Sequence, residues 1–166
     1  FRRIPSKKYQ INSAEYGKYG KYPVIDQGKK LIIAYSDNEE KIYKNSSIIV
    51  FGDHTRELKY VDFDFIVGAD GTQLIKAKCN FDNKFLYYQL ITKNIPNTGY
   101  NRHFKFLLEM VLEVPSNEEQ NKIAYFLTSI DNEITKQTDI LAQLKLQKQS
   151  LMQKLLTGQV RAFNYS

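Results

Sequence analysis

The sequence predicts an α+β protein: a mixed α/β domain over residues 1–115, one long projecting helix over 116–157, and a tail over 158–166. Two observations carry this. Residues 22–115 are short apolar runs rich in β-branched and aromatic residues, broken by Gly, Asn and Asp, the pattern of strands and turns. Beyond Pro115, apolar residues recur at steps of three and four with no Gly or Pro until Gly158, the period of a helix that seats against another helix.

The strand-like runs are YPVI, KLIIAYS, NSSIIVFG, KYVDFDFIVG, TQLIKAKC and MVLEVP. Between the last two, NFDNKFLYYQLITKNI crowds its apolar positions onto one helical face, with Asn80 or Asp82 as the cap of its start. In the C-terminal block, Ser116 and Glu119 have the spacing of a capping box, and Gly158 closes the far end. The seam is Ile123, Leu127, Ile130, Ile134, Leu141, Leu144, Leu151 and Leu155, interrupted by the polar Gln137, Thr138 and Lys148, which fix register at some cost in stability. A helix of about 40 residues is on the order of 60 Å long, so part of its stripe stays wet unless a second helix covers it. The competing reading folds the helix back in two halves onto its own domain.

Composition narrows the function. Twelve Tyr and ten Phe in 166 residues require a packed core. The single Cys79 forms no internal disulfide, which predicts a reducing, intracellular setting. No apolar run approaches the roughly 20 residues that cross a bilayer, and FRRIPSKKYQ lacks the apolar core of a signal peptide, which predicts a soluble protein with no membrane partner. A first residue of Phe rather than Met points to a processed product or part of a longer chain. Of the formal net charge of +6, nearly all lies N-terminally: residues 1–115 hold 18 Lys and Arg against 13 Asp and Glu, residues 116–157 five against five. The first 30 residues interleave eight cations with Tyr9, Tyr16, Tyr19 and Tyr22, a mixture that suits phosphates and stacked bases as well as it suits a solvated basic face.

No reaction is named by the motifs. There is no P-loop, no dinucleotide-binding glycine turn, no nucleophile elbow and no Asn-Pro-Pro-aromatic motif. His54 and His103 lack metal-ligand spacing, so no metal site is expected. Glu57-Leu58-Lys59 has the E-x-K form of metal-dependent nucleases, with Asp53 or Asp37 upstream to share a cation, but Glu39-Glu40-Lys41 repeats the triplet and chance matches are common. The stretch VFGDHTRELKYVDFDF reads better as a hairpin whose tip, Asp53 to Arg56, carries recognition. Arg56 suits a guanine edge or a phosphate, His54 and Thr55 suit base edges, and Asp53 suits cytosine, the orientation of Arg56, or the turn itself. A coiled-coil adaptor without DNA binding is the third reading.

The whole chain resembles a known family. EVPSNEEQNKIAYFLTSIDNE and its continuation to LLTGQVR resemble the region closing each half of the DNA specificity subunit of type I restriction-modification systems, through Pro115, Glu119, Gln120, Ile123, Ala124, Phe126, Leu127, Ile130, Asp131, Leu155, Leu156, Gly158, Val160 and Arg161. Upstream, YPVIDQG, VFGDHTR and VDFDFIVGADGTQLI resemble a target recognition domain of that family. The chain departs from the family in PSNEEQ, which lacks a second proline, and in holding one domain and one helix where the usual subunit has two of each, the helices packed antiparallel.

The resemblance implies the C-terminal half of such a subunit or a half-length form. It would read one half of a bipartite double-stranded DNA target and pair through its helix, as an antiparallel coiled coil, with a second copy or another half-subunit. It implies no catalysis and no cofactor on this chain. S-adenosylmethionine belongs to the adenine methyltransferase subunits, which dock on the helices, and ATP with magnesium to the restriction subunit. The outward helix face, with Lys122, Glu133 and Gln137, is a second docking surface. The setting implied is the cytoplasm of a bacterial or archaeal cell. The expected base readers are Gln27, Lys29, His54, Thr55, Arg56, Thr72 and Gln73, on the DQGKK, GDHTR and ADGTQ stretches. Lys18, Tyr19, Lys21, Tyr22, Lys30 and Arg102 are the expected phosphate or stacking contacts, while Gly68, Asp70 and Gly71 shape a turn.

Overall fold

The computed structural model of the chain describes residues 1–44, 47–68, 70–78, 81–99 and 101–161; Ala69, Cys79 and the alternative cap Asn80 lie outside them. Among the described residues, eight strands form two four-stranded sheets: β1 (Arg2–Ile4), β8 (Thr72–Lys76), β5 (Ile48–Gly52) and β6 (Leu58–Val61) in one, and β3 (Ala34–Ser36), β2 (Tyr22–Ile25), β7 (Phe65–Val67) and β4 (Ile42–Tyr43) in the other. The first sheet is antiparallel, and the second is mixed because β2 and β7 run parallel. The α-helices that follow among the described residues are α1 (Asn83–Ile91), α2 (Phe104–Leu108) and α3 (Asn117–Leu156).

Strand alternation decides the layering, since successive side chains point to opposite faces. In β5, Ile48 and Val50 join Val61 and Leu74 against Ile25, Tyr43, Phe65 and Val67 of the other sheet, forming the core between the sheets. Ile49 and Phe51 point the other way, with Ile75, onto Leu86 and Leu90 of α1 and Leu107 of α2. Buried on both faces, β5 reads as the unbroken apolar run IIVFG. The far face of the second sheet is sealed by Ile11, Val24, Ala34, Ile42 and Ile66.

Several expectations are corrected. The run KYVDFDFIVG is two strands in different sheets, β6 and β7, because the chain leaves the first sheet at Asp62–Asp64. MVLEVP forms no strand; Met110 and Leu112 instead pack against the cluster around α1. The helix expected in NFDNKFLYYQLITKNI is α1, and Asp82 caps it, its Oδ1 accepting from the Phe85 amide at 2.8 Å. At the start of α3, Ser116 Oγ accepts from the Glu119 amide at 3.3 Å, and Gly158 at φ 74° ends the helix. The chain divides into two compact units, Phe1–Ala124 and Tyr125–Ser166, which leaves about two turns of α3 in the first unit.

Candidate nucleic-acid interface

The turns expected to carry recognition meet at one end of the paired sheets. β2 ends at Ile25 beside Val67, the last residue of its parallel neighbour β7, and the Gly68 amide donates to the Ile25 carbonyl at 2.8 Å. The β5–β6 hairpin tip lies over the same end, since the Asp53 amide donates to the Gly71 carbonyl at 2.7 Å.

Gln27 sits where these turns converge. Its Nε2 donates to the Asp70 carbonyl at 3.0 Å, its Oε1 accepts from the His54 amide at 3.2 Å, and its own carbonyl accepts from the Thr55 hydroxyl. Two glycines permit the approach. A Cβ on Gly52 would stand 2.6 Å from the Gln27 carbonyl oxygen, and Gly71, at φ 86°, would meet the Gln27 amide at 2.7 Å. Beneath Gln27, Lys59 is only 7% exposed and donates from Nζ to the Asp26 carbonyl at 2.8 Å, while Asp26 Oδ1 accepts from the Gly28 amide. Burial pushes the Lys59 ammonium below its ordinary pKa, against the pull of the nearby Asp26 and Glu57 carboxylates.

Asp53, 2% exposed, is the second point of attachment. Its Oδ1 accepts from the Phe104 amide at 2.8 Å, its Oδ2 from Gln73 Nε2 at 3.3 Å, and its carbonyl from both the amide and Nδ1 of His103 at 2.9 Å. A carbonyl only accepts, so His103 carries its proton on Nδ1 and Nε2 is left to accept from Thr98, whose amide is 3.4 Å and hydroxyl 3.3 Å away.

The sequence-derived residues therefore divide. Thr55, Lys29 and Lys30 are exposed at the converging turns, and Arg102 is exposed beside His103; His54 and Arg56 are half-buried. Arg56 adopts a left-handed backbone at φ 66° and donates from Nη1 to the Ile95 carbonyl at 3.2 Å. Thr72 and Gln73 correct the expectation of polar tips, because both lie inside β8 and are buried. Gln27 likewise spends both ends of its amide on neighbouring turns. Lys18, Tyr19, Lys21 and Tyr22 are not brought to this end: Tyr22 opens β2 opposite Ser36, and Lys21 is engaged by Glu39 at 2.7 Å and, through its amide, by Asp37 at 2.8 Å. Lys18 lies over the exposed Tyr19 ring at 5.5 Å.

The nuclease reading of Asp53, Glu57 and Lys59 is not favoured. The Asp53 carboxylate is committed on both oxygens, Lys59 is tied to Asp26, and among the described residues no group of three or more His, Cys, Asp and Glu could hold a metal ion. Sequence reasoning missed Asp26, Lys59 and His103 as structural polar groups. A lysine at a buried strand position was the one available signal.

The sequence pattern of the type I restriction modification DNA specificity domain matches residues 3–146. The chain belongs to that family. The specificity subunit of the Escherichia coli type I restriction enzyme EcoR124I/EcoR124II is 33% identical over 91 residues, a stretch covering 51% of this chain and 22% of that subunit. A solved chain from work on complex assembly and conformational transition of the type I restriction-modification system shares the fold, with a TM-score of 0.53, 18% identity, and coverage of 86% of this chain and 40% of that one. The HsdS subunit of Thermoanaerobacter tengcongensis aligns over 86% of this chain and 39% of its own at 15% identity and a TM-score of 0.45. The chain thus matches well under half the length of each.

Within this specificity-domain chain, the Glu-Gln pair has a visible task. Gln120 is buried, accepts from the Asp82 amide at 2.8 Å and donates to the Pro115 carbonyl at 2.9 Å. It joins the cap of α1 to the first turn of α3. Past Ala124 no residue of α3 is buried within the described chain, and the stripe from Ile130 to Leu155 is exposed.

Proposed function

We propose that this chain is a DNA-recognition component of a type I restriction-modification complex, reading one half of a bipartite duplex target through the turns gathered at Gln27. The observation that carries it is the convergence of the DQG, GDHTR and DG turns in a chain of the specificity-domain family. Thr55, His54, Lys29 and Arg56 are the base-reading candidates that remain at this end, with Lys30 and Arg102 as phosphate contacts. Thr72, Gln73 and Gln27 shape the edge from behind. Lys18, Tyr19, Lys21 and Tyr22, grouped at the other end of β2, are a separate backbone contact.

The exposed α3 stripe pairs with the same stripe of a second copy or of another half-subunit as an antiparallel coiled coil, and methyltransferase subunits dock on the helices. The restriction subunit joins through that assembly. Chemistry stays with those partners, which use S-adenosylmethionine and ATP with magnesium; this chain binds neither. No helix among the described residues is long and apolar enough to cross a membrane, which suits work on DNA in the cytoplasm.

Light scattering with and without a random-sequence duplex pool, followed by selection of bound duplexes, tests the reading. A dimer that enriches one sequence supports it, and a chain that retards no duplex at low salt overturns it. Arg56→Ala should then lose about 1–3 kcal/mol of discrimination at the base it reads, whereas a loss uniform over all sequences marks a phosphate contact.

A further inference from the structure

We propose that Arg3 and Lys7 form a clamp for one backbone phosphate of the duplex, beside the turns gathered at Gln27. The inference rests on the DNA-recognition reading above and adds to it a contact made by residues outside those turns.

The first observation is placement. β1 runs antiparallel to β8 with Ile4 opposite Leu74, so the chain leaving β1 at Pro5 heads toward Thr72 and the end at which the recognition turns meet. There it makes a single 3-10 turn, Lys7–Tyr9, and the Tyr9 ring packs edge-on against Tyr43 with centroids 5.0 Å apart. The residues that follow tie this turn down: Gln10 Nε2 donates to Asp70 Oδ1 at 3.0 Å, and the Ile11 amide donates to the Val67 carbonyl at 3.0 Å. Asp70 is the residue whose carbonyl accepts from Gln27, so the segment touches the recognition junction directly. Arg3 reaches the second point of attachment. Its guanidinium carbon lies 5.7 Å from the centroid of the Phe104 ring, and the Phe104 amide donates to Asp53.

The second observation is the shape between the two cations. Arg3, Pro5, Ser6 and Lys7 line a pocket of about 320 Å³. Pro5 offers an apolar wall to a deoxyribose, and the two side chains bring positive charge to the phosphate it carries. A guanidinium holds two phosphate oxygens at once, and an ammonium acts as a point charge. The third observation is that neither charge is spent. Residues 1–14 carry Arg2, Arg3, Lys7 and Lys8 and no Asp or Glu. Arg3 and Lys7 are exposed and form no ion pair with any described residue, whereas Lys21 and Lys59 are held by Glu39 and Asp26. An unpaired cation meets a phosphate without first leaving a carboxylate, and the counterion it displaces from the DNA is released.

The test is a scan of the selected duplex with single neutral methylphosphonate linkages, together with the salt dependence of binding, for the wild type and for Arg3→Gln with Lys7→Gln. Expected is one linkage, or two adjacent ones, whose neutralisation weakens the wild type and leaves the variant unaffected. The variant's log–log slope of affinity against salt should be shallower by about 0.9, the value for one phosphate, with the order of base preference kept. Both side chains are exposed, so the thermal midpoint should stay in place; if it falls, Lys7→Gln alone, which leaves Arg3 on Phe104, carries the scan. A variant with the wild-type slope that feels every neutral linkage as the wild type does overturns the inference alone. So does a shallower slope with no linkage relieved, which is bulk charge, or a changed base preference, which is base reading. A wild type that retards no duplex overturns the recognition reading and this inference with it.

Discussion

Lys59 Nζ lies 2.8 Å from the Asp26 carbonyl oxygen and 3.8 Å from Asp26 Oδ1, so a nearly buried ammonium holds the Asp26–Gly28 turn against β6. Burial lowers its pKa from the ordinary 10.5, which means that the unfolded chain binds this proton more tightly than the folded one. Below the folded pKa, the buried charge opposes folding. That penalty is relieved as pH rises from the folded value toward 10.5, where the unfolded state still holds more protons. The stability of the wild type relative to Lys59→Met should therefore rise with pH on the alkaline side. Denaturant unfolding of both proteins across that range checks it, and a difference that does not change with pH would remove the assignment.

Lys21 is engaged rather than free. Its Nζ is 2.7 Å from Glu39 Oε1, both side chains are more than 60% exposed, and the pair raises the Lys21 pKa while lowering that of Glu39. An exposed pair of this kind adds little to stability and is screened by salt, but it competes with any phosphate for the ammonium. Glu39→Gln should leave the thermal midpoint in place and strengthen duplex binding. The log–log slope of affinity against salt should steepen by about 0.9 for one phosphate gained. An unchanged slope would place Lys21 off the DNA path.

What the sequence disclosed and what it hid have one cause. IIVFG could be read as a strand because both its faces are buried, and GDHTR as a tip because turn residues interrupt two apolar runs. Long-range pairing left no local trace. RRI becomes β1 only because Arg2 to Ile4 find Lys76 to Leu74, and the two-residue β4 exists through its pairing with β7. The same limit applies to the interface. Polarity on a turn marked Gln27 as a reader, whereas its partners Asp70 and His54 stand 43 and 27 residues away and turn its amide inward. His103 was legible only as a possible ligand, since its partner Asp53 is 50 residues distant.

Gln120 offers a test of the joint between α1 and α3. Removing its amide in Gln120→Ala leaves the Asp82 N–H and the Pro115 carbonyl without this partner, a loss of about 1–3 kcal/mol when such groups stay buried. Lower thermal stability should be accompanied by faster amide hydrogen exchange at Asp82. Exchange unaltered at Asp82 would show that the bond contributes nothing to the joint.

The stripe on α3 gives the last prediction. Ile130, Ile134, Leu141, Leu144, Leu151 and Leu155 are each between 38% and 58% exposed, an apolar row too long for a monomer surface to leave wet without cost. Its steps are three, four or seven, and with Gln137 and Lys148 filling the two seven-residue gaps they alternate four and three, the spacing that seats one helix in the holes of another. Pairing of this stripe follows from the proposed assembly, and Leu141→Glu with Leu144→Glu places two carboxylates at its middle. Association should weaken by well over about a hundred-fold, because two apolar knobs are lost and charges are forced toward an apolar seam. Light scattering should then report monomers, while the far-ultraviolet spectrum and the unfolding of the recognition unit stay close to wild type. A solution mass that does not change on this double substitution would assign the self-association to another surface.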